Sequence, residues 1–258
     1  AHPRAAAGAV DPFVEGLAAA GAEVLEFPTI RLAPPRTWAP VDRVIRALRA
    51  KEPPYAWIAF LSANAVERFL DRIRRRGGDA RTLDGCRLAA IGAATARALA
   101  ANSLRADLVA ESATSEGLAR VLPKRIRPGD RVLLPRTDIG RDVLPVALRR
   151  RGARVEEVCV YRTVPPDRRL VAPLRKELLG GEVDVLTFAS AQAVKNFVAA
   201  VGRDAVRRMR RSVRIASIGP ITGRACRAAG LRVHAQAHTP SLEGLVQAVV
   251  RLGASRRR

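Results

Sequence analysis

Sulfur, aromatic rings, acidic side chains and long apolar runs are all scarce in this chain. Its three cysteines, Cys86, Cys159 and Cys226, stand 73 and 67 residues apart. Without C-x-x-C spacing they suggest neither a zinc site nor a disulfide framework, and they fit idle thiols of a reducing cytoplasm. Aromatic residues make up 4%, which leaves few platforms for stacking nucleic-acid bases. No apolar run approaches the ~18 residues of a membrane span. The opening "AHPRAAAGAV" lacks a charged segment followed by a leucine-rich one, so it does not read as a secretory signal. It also lacks a starting Met, and the chain is expected to be trimmed or cut from something longer. His234 and His238 have a spacing that could grip a metal on a helix, but they flank "AQA" just before Thr239-Pro240. That stretch reads as loop, no acidic residue or cysteine accompanies it, and no metal site is expected.

What the chain has in quantity is apolar surface and arginine. With 258 residues and 48% apolar composition it can hold one large domain or two ordinary ones. Of 46 basic residues 42 are arginine, against 24 acidic ones, for a net charge of +22. Such a balance suits nucleic acid, an anionic membrane surface or a polyanionic small substrate, and it also follows from Ala- and Arg-rich composition. The arginines are spread over helix-like stretches ("DRIRRRGG", "ALRRRGARV", "AVRRMRRSV") instead of forming one stripe. Solvated helix faces are the expected use, with steering of a negative ligand second; neither nucleic acid nor a membrane is an expected partner.

Three segments recur in the same order. At an offset of 131, "GLAAAGAEVLEFPTIRLAPP" matches "ALRRRGARVEEVCVYRTVPP", so Arg162 falls on Arg31 and the Pro-Pro pairs coincide. At 128, "FLSANAVERF" matches "FASAQAVKNF"; at 127, "RLAAIGAATARAL" matches "RIASIGPITGRAC". The chain is two copies of one unit. Tyr161 does not repeat: it falls on Ile30.

Each copy alternates short apolar runs with amphipathic stretches. Residues 57–61, 87–91, 131–135, 183–188 and 213–218 read as buried strands. Val66, Phe69, Leu70 and Ile73 keep helical spacing, as do Val194, Phe197, Val198 and Val201, and Leu144, Ala147 and Leu148. The pattern predicts an α/β protein of two similar parallel-sheet domains flanked by helices. The double prolines close stiff, extended crossings suited to a two-stranded linker ladder.

In open α/β sheets ligands sit beyond the carboxyl ends of the strands. Four such ends carry a small hydroxyl at the start of a helix: Ser62, Thr95, Ser190 and Thr222. Free N–H groups and the positive helix end there suit carboxylates or phosphates, although a helix cap alone would also explain each residue. Neither G-x-G-x-x-G nor a Walker A sequence is present, and no Ser–His–Asp set, carboxylate pair or metal cluster emerges. A chemistry that asks little of the protein is therefore expected. Tyr161, on a crossing, is either a proton donor or a ring packed on the linker; phenols in general are protonated at neutral pH.

The run "RVLLPRTDIGRDVLPVALRRRGARVEEVCVYRTVPP", with "AFLSANAV", "VDVLTFASAQAVKNF" and "IASIGPITGRA", resembles the uroporphyrinogen-III synthase family over nearly the whole chain. The resemblance implies two α/β domains joined by an antiparallel ladder. Domain 1 would combine 1–30 with 167–258, domain 2 would span 36–160, and 31–35 and 161–166 would be the linkers. It implies a monomeric cytoplasmic hydro-lyase without cofactor, which closes the linear tetrapyrrole hydroxymethylbilane with inversion of the last ring and loss of water. A transient contact with the upstream hydroxymethylbilane synthase would go with it. Tyr161 would be the proton donor; Ser62, Thr95, Ser190 and Thr222 would receive substrate carboxylates, with Arg136 and Lys195 as cationic partners. The counterpart of "RVLLPR" is missing or reduced to "AHPRA", so a sheet strand and a cleft contact are expected to be lost, and Ile221 stands where relatives often carry a second hydroxyl. The alternative is a non-catalytic two-domain module of the same fold that closes on a small anion.

Overall fold

The computed structural model describes residues 11–50 and 54–254. They form two compact units, one of residues up to Arg31 together with those from Val164 on, and one from Leu32 to Thr163. The chain begins in the first unit with α1 (Pro12–Ala19), capped by Asp11, whose carboxylate accepts the Phe13 N–H at 2.9 Å. There follow β1 (Arg31–Ala33), α2 (Ala39–Leu48), β2 (Trp57–Phe60), α3 (Ala63–Arg75), β3 (Arg87–Ala90), α4 (Ala93–Ala100) and β4 (Leu108–Val109). Then come α5 (Ser115–Val121), β5 (Arg131–Thr137), α6 (Val143–Arg150) and β6 (Arg154–Val164). The chain returns to the first unit with α7 (Arg168–Gly180), β7 (Val185–Phe188), α8 (Ala191–Val201), α9 (Arg203–Met209) and β8 (Arg214–Ser217). α10 (Pro220–Ala228), β9 (Val233–Gln236) and α11 (Leu242–Ala254) follow.

In the continuous unit the sheet order is β1-β6-β5-β2-β3-β4, with β2–β3, β2–β5, β3–β4 and β5–β6 all parallel. The chain steps outward from β2 to β4, then crosses back to lay β5 on the other side of β2. That reversal is a topological switch point, where neighbouring crossovers leave the sheet on opposite faces and open a crevice. Both faces are covered. Ile58, Phe60 and Leu133 pack with Val44, Ile45, Phe69 and Ile73 from α2 and α3. Trp57, Ala59, Val132 and Leu134 pack with Leu118, Leu122, Leu144 and Leu148 on the other side. Burial on two faces is why these strands read as unbroken apolar runs. The helical stripe predicted at Val66, Phe69, Leu70 and Ile73 is wholly buried.

The discontinuous unit has, among the described residues, a parallel sheet in the order β7-β8-β9. Shifting β2 by 128 gives β7, and shifting β3 by 127 gives β8, so the sequence duplication is a structural one. Its N-terminal segment is packed into this core: Phe27 meets Phe197 edge-on at 5.4 Å, and Phe13 and Leu17 of α1 cluster with Leu245 of α11. The counterpart of β5 would fall at "AHPRA", which lies outside the described residues.

One local reading needs correction. The stretch after Leu231 is not all loop: Val233–Gln236 forms β9, because its backbone pairs with β8 from Ile215↔Val233 onward. His234 serves that pairing by accepting the Ile215 N–H on Nδ1 at 3.0 Å. The crossing that carries Tyr161 is strand through Val164, as expected of the ladder, and neighbours β1, which has only three residues. Arg162 donates from Nε to the Pro34 carbonyl at 2.9 Å, tying the two twin segments together. Among the described residues no helix is long and apolar enough to cross a membrane.

Candidate active site

Beyond the carboxyl end of β2 the chain turns at Ser62 with φ −168° and ψ 155°, extended backbone that any residue adopts. Its Oγ accepts the Ala65 N–H at 3.1 Å and so caps α3. The same oxygen lies 3.1 Å from the Tyr161 hydroxyl, with either able to donate. A serine hydroxyl has one proton and two lone pairs, so the cap leaves it free to serve the phenol either way.

Tyr161 reaches Ser62 because β6 is irregular. Arg136 pairs with Cys159, but Thr137 pairs with Tyr161, so Val160 is an extra residue. Strict alternation would put Tyr161 on the same face as Cys159; the bulge turns it into the cluster of Val158, Val160 and Phe60. The ring is buried and the hydroxyl emerges at the switch point. Neighbouring Cys159 donates its thiol to the Tyr161 carbonyl at 3.3 Å, and desolvation raises its pKa. Burial likewise pushes Cys86 and Cys226 up to about 11.

The third wall is the loop after β5. Arg136 is buried, and its guanidinium is answered on all its observed bonds by the protein: Glu157, Asp142 at 3.2 Å and the Arg141 carbonyl at 3.1 Å. Arg149 supports the other oxygen of Glu157 at 2.7 Å. Gly140 lies flat over this guanidinium; a Cβ there would stand 2.1 Å from its terminal nitrogen. In this structure two carboxylates meet the Arg136 guanidinium, which holds the loop in place. Between Leu61, Ser62, Thr137, Gly140, Arg141 and Tyr161 lies a cavity of about 120 Å³, also reached by Ser115 and Arg136. At about 30 Å³ per water it takes one carboxyl or hydroxymethyl group, not a large ligand whole. A wider recess of about 460 Å³ beside Arg49, Gly77 and Asp79 lies at the last turns of α2 and α3, away from the strand ends. It has no chemistry-bearing geometry, and we assign it none.

Of the residues singled out in the sequence, the structure brings together Ser62, Arg136 and Tyr161. Thr95 and Thr222 are buried three residues into α4 and α10, behind Gly92 and Gly219, and neither caps its helix. Ser190 caps α8 through the Ala193 N–H at 3.1 Å, as Ser62 caps α3. Lys195 is exposed on α8. Sequence reasoning missed Thr137, Gly140 and Arg141. The strand-end rule would have found them had it been applied to the end of β5 as well as to ends followed by a hydroxyl.

The family described as Uroporphyrinogen-III synthase HemD matches residues 11–247. The uroporphyrinogen-III synthase of Synechococcus elongatus is 34% identical over 253 residues, covering 95% of this chain and 91% of that protein. That of Chlorobaculum parvum is 28% identical over 224 residues, covering 86% of each. Among solved structures, a mutant uroporphyrinogen III synthase from the extremely thermophilic bacterium Thermus thermophilus superposes with a TM-score of 0.61 at 24% identity, covering 95% of this chain and 94% of that one. The uroporphyrinogen-III synthetase of Helicobacter pylori gives 0.59 at 17% identity, covering 86% and 90%. These two share the fold.

Proposed function

The chain belongs to the uroporphyrinogen-III synthase family, and on that premise we propose that it cyclises hydroxymethylbilane to uroporphyrinogen III, inverting the last pyrrole ring and releasing water. The observation that carries this reading is the Ser62–Tyr161 hydroxyl pair, 3.1 Å apart at the mouth of a cavity sized for one substituent.

Tyr161 gives its proton to the terminal hydroxyl of the substrate as the carbon–oxygen bond breaks, and the oxygen leaves as water. The electron pair comes from the nitrogen of the same pyrrole, which becomes an azafulvene. Ser62 turns its O–H toward the phenolate until the proton released on ring closure restores the phenol. Attack by the substituted carbon of the last ring gives a spiro intermediate, which reopens and recloses inverted. The protein's main contribution is positional, since an electron-rich pyrrole expels a protonated hydroxyl readily and the unguided chain closes without inversion. Carbon–oxygen cleavage with loss of water makes the enzyme a hydro-lyase. No step calls for a cofactor.

The hydroxyls of Ser62, Thr95, Ser190 and Thr222 mark helix starts whose N–H groups suit the substrate's eight carboxylates, with Lys195 as a cationic partner. A substrate that cyclises unaided favours a cytoplasmic enzyme working close to hydroxymethylbilane synthase, with transient contact between the two. To test the assignment, freshly generated hydroxymethylbilane is supplied and the oxidised porphyrin isomers are separated. Type III in excess over type I is expected; type I alone at the blank rate would reject it.

A further inference from the structure

Two arginines line the cavity, and their charges are spent differently. Arg136 is buried between Glu157 and Asp142. Arg141 leaves 64% of its side chain exposed and grips Glu116, itself 47% exposed, through two parallel bonds of 2.6 and 3.2 Å. A planar fork on a carboxylate is how a guanidinium receives any carboxylate, so Glu116 holds the place of an acidic ligand. Glu116 opens α5 beside Ser115, whose side of the cavity faces the loop of Arg141.

Three features make this pair exchangeable. Water reaches both partners, and exposed ion pairs are weak. Glu116 is not stranded on release: its carboxyl is held below the usual range first by its own backbone N–H at the start of α5, and only then by Arg141, with Arg120 contributing. The backbone of Arg141 stays fixed while its side chain moves, because Arg136 donates to the Arg141 carbonyl at 3.1 Å.

We propose that Arg141 is a carboxylate exchanger: it releases Glu116 and takes one acid group of the substrate at the mouth of the cavity. This rests on the tetrapyrrole reading and deepens it by naming a receptor for one of the carboxylates.

The test compares wild type, Glu116→Gln, Arg141→Gln and the double variant. KM for hydroxymethylbilane should fall severalfold in Glu116→Gln, where the competing charge is gone, and rise about threefold or more in Arg141→Gln. Glu116→Gln should lose its effect once Arg141 is replaced. The same four proteins are titrated with uroporphyrin, a stable octacarboxylate, and the order of Kd values should follow that of KM. An unchanged or raised KM in Glu116→Gln, an equal effect of that change in both Arg141 backgrounds, or a fall in kcat alone in Arg141→Gln would overturn the exchange. Absence of type III product with the binding order intact would reject only the synthase reading. Type III product without that order would reject only the exchange.

Discussion

The hydroxyl of Tyr161 is held from two directions, its ring by Val158, Val160 and Phe60, its oxygen by Ser62. A group fixed in this way acts at one point in space, which is what proton delivery to a single leaving oxygen requires. Tyr161→Phe keeps the ring and its packing and removes only the proton. It should lower kcat about 10²-fold, the lower end for a general acid, because the pyrrole supplies much of the driving force. KM and the melting temperature should change little. Steady-state kinetics with isomer separation, beside a thermal melt, reads all three; full activity would remove Tyr161 as the proton donor. The phenol's uniqueness was legible in the sequence as a break in the repeat. Its partner was not named as such, since Ser62 lies 99 positions away and was singled out as a cap and carboxylate receptor, not as the phenol's neighbour.

Elements held to prediction where apolar spacing was strong. β2, β3, β5, β7 and β8 fall within a few residues of their apolar runs, since burial on both faces writes itself into composition. β9 was missed because "VHAQ" carries no such signal; its state depends on the neighbour it pairs with. Helix α3 is also clamped to α2 from outside the core. Asp42 accepts two bonds of 2.7 Å from Arg72, and Arg76 stands 3.2 Å from it. Asp42→Asn should cost about 1–3 kcal/mol, as for a partly buried charged hydrogen bond. The bond from Arg72, joined by the charges of Arg72 and Arg76, holds the Asp42 carboxyl below its ordinary 3.8. A depressed carboxylate contributes stability above its unfolded value and loses it as pH falls through the folded one. Urea titrations at pH 7 should therefore separate wild type from Asp42→Asn, and the gap should narrow as the pH is lowered below 3.8.

For the whole molecule, a net charge of +22 meets a substrate of eight carboxylates. Long-range attraction of this kind raises the capture rate and is screened at physiological salt, where the Debye length is about 8 Å. kcat/KM should fall steeply with added NaCl while kcat holds nearly constant; a salt-independent kcat/KM would leave the arginine excess as solvated surface only. The duplication also belongs to this scale. It was visible as three offsets, and the matching strands of the two units bear it out. It did not announce that β1 would keep only three residues where β6 has eleven.

The sequence alone determined the α/β class, the twofold repeat, the buried strands and helical stripes, and the oddity of Tyr161. Each of these is written locally, in the period of apolar residues or in a match between segments. Tertiary structure decided that β5 lies beside β2, that a bulge turns Tyr161 toward Ser62, that Glu157 and Asp142 meet Arg136, and that Arg141 pairs with Glu116 at the surface. Those facts depend on which side of a strand a returning chain settles and on which charges then meet. Neither is fixed by spacing along the chain, because strand order is chosen by the burial of whole faces.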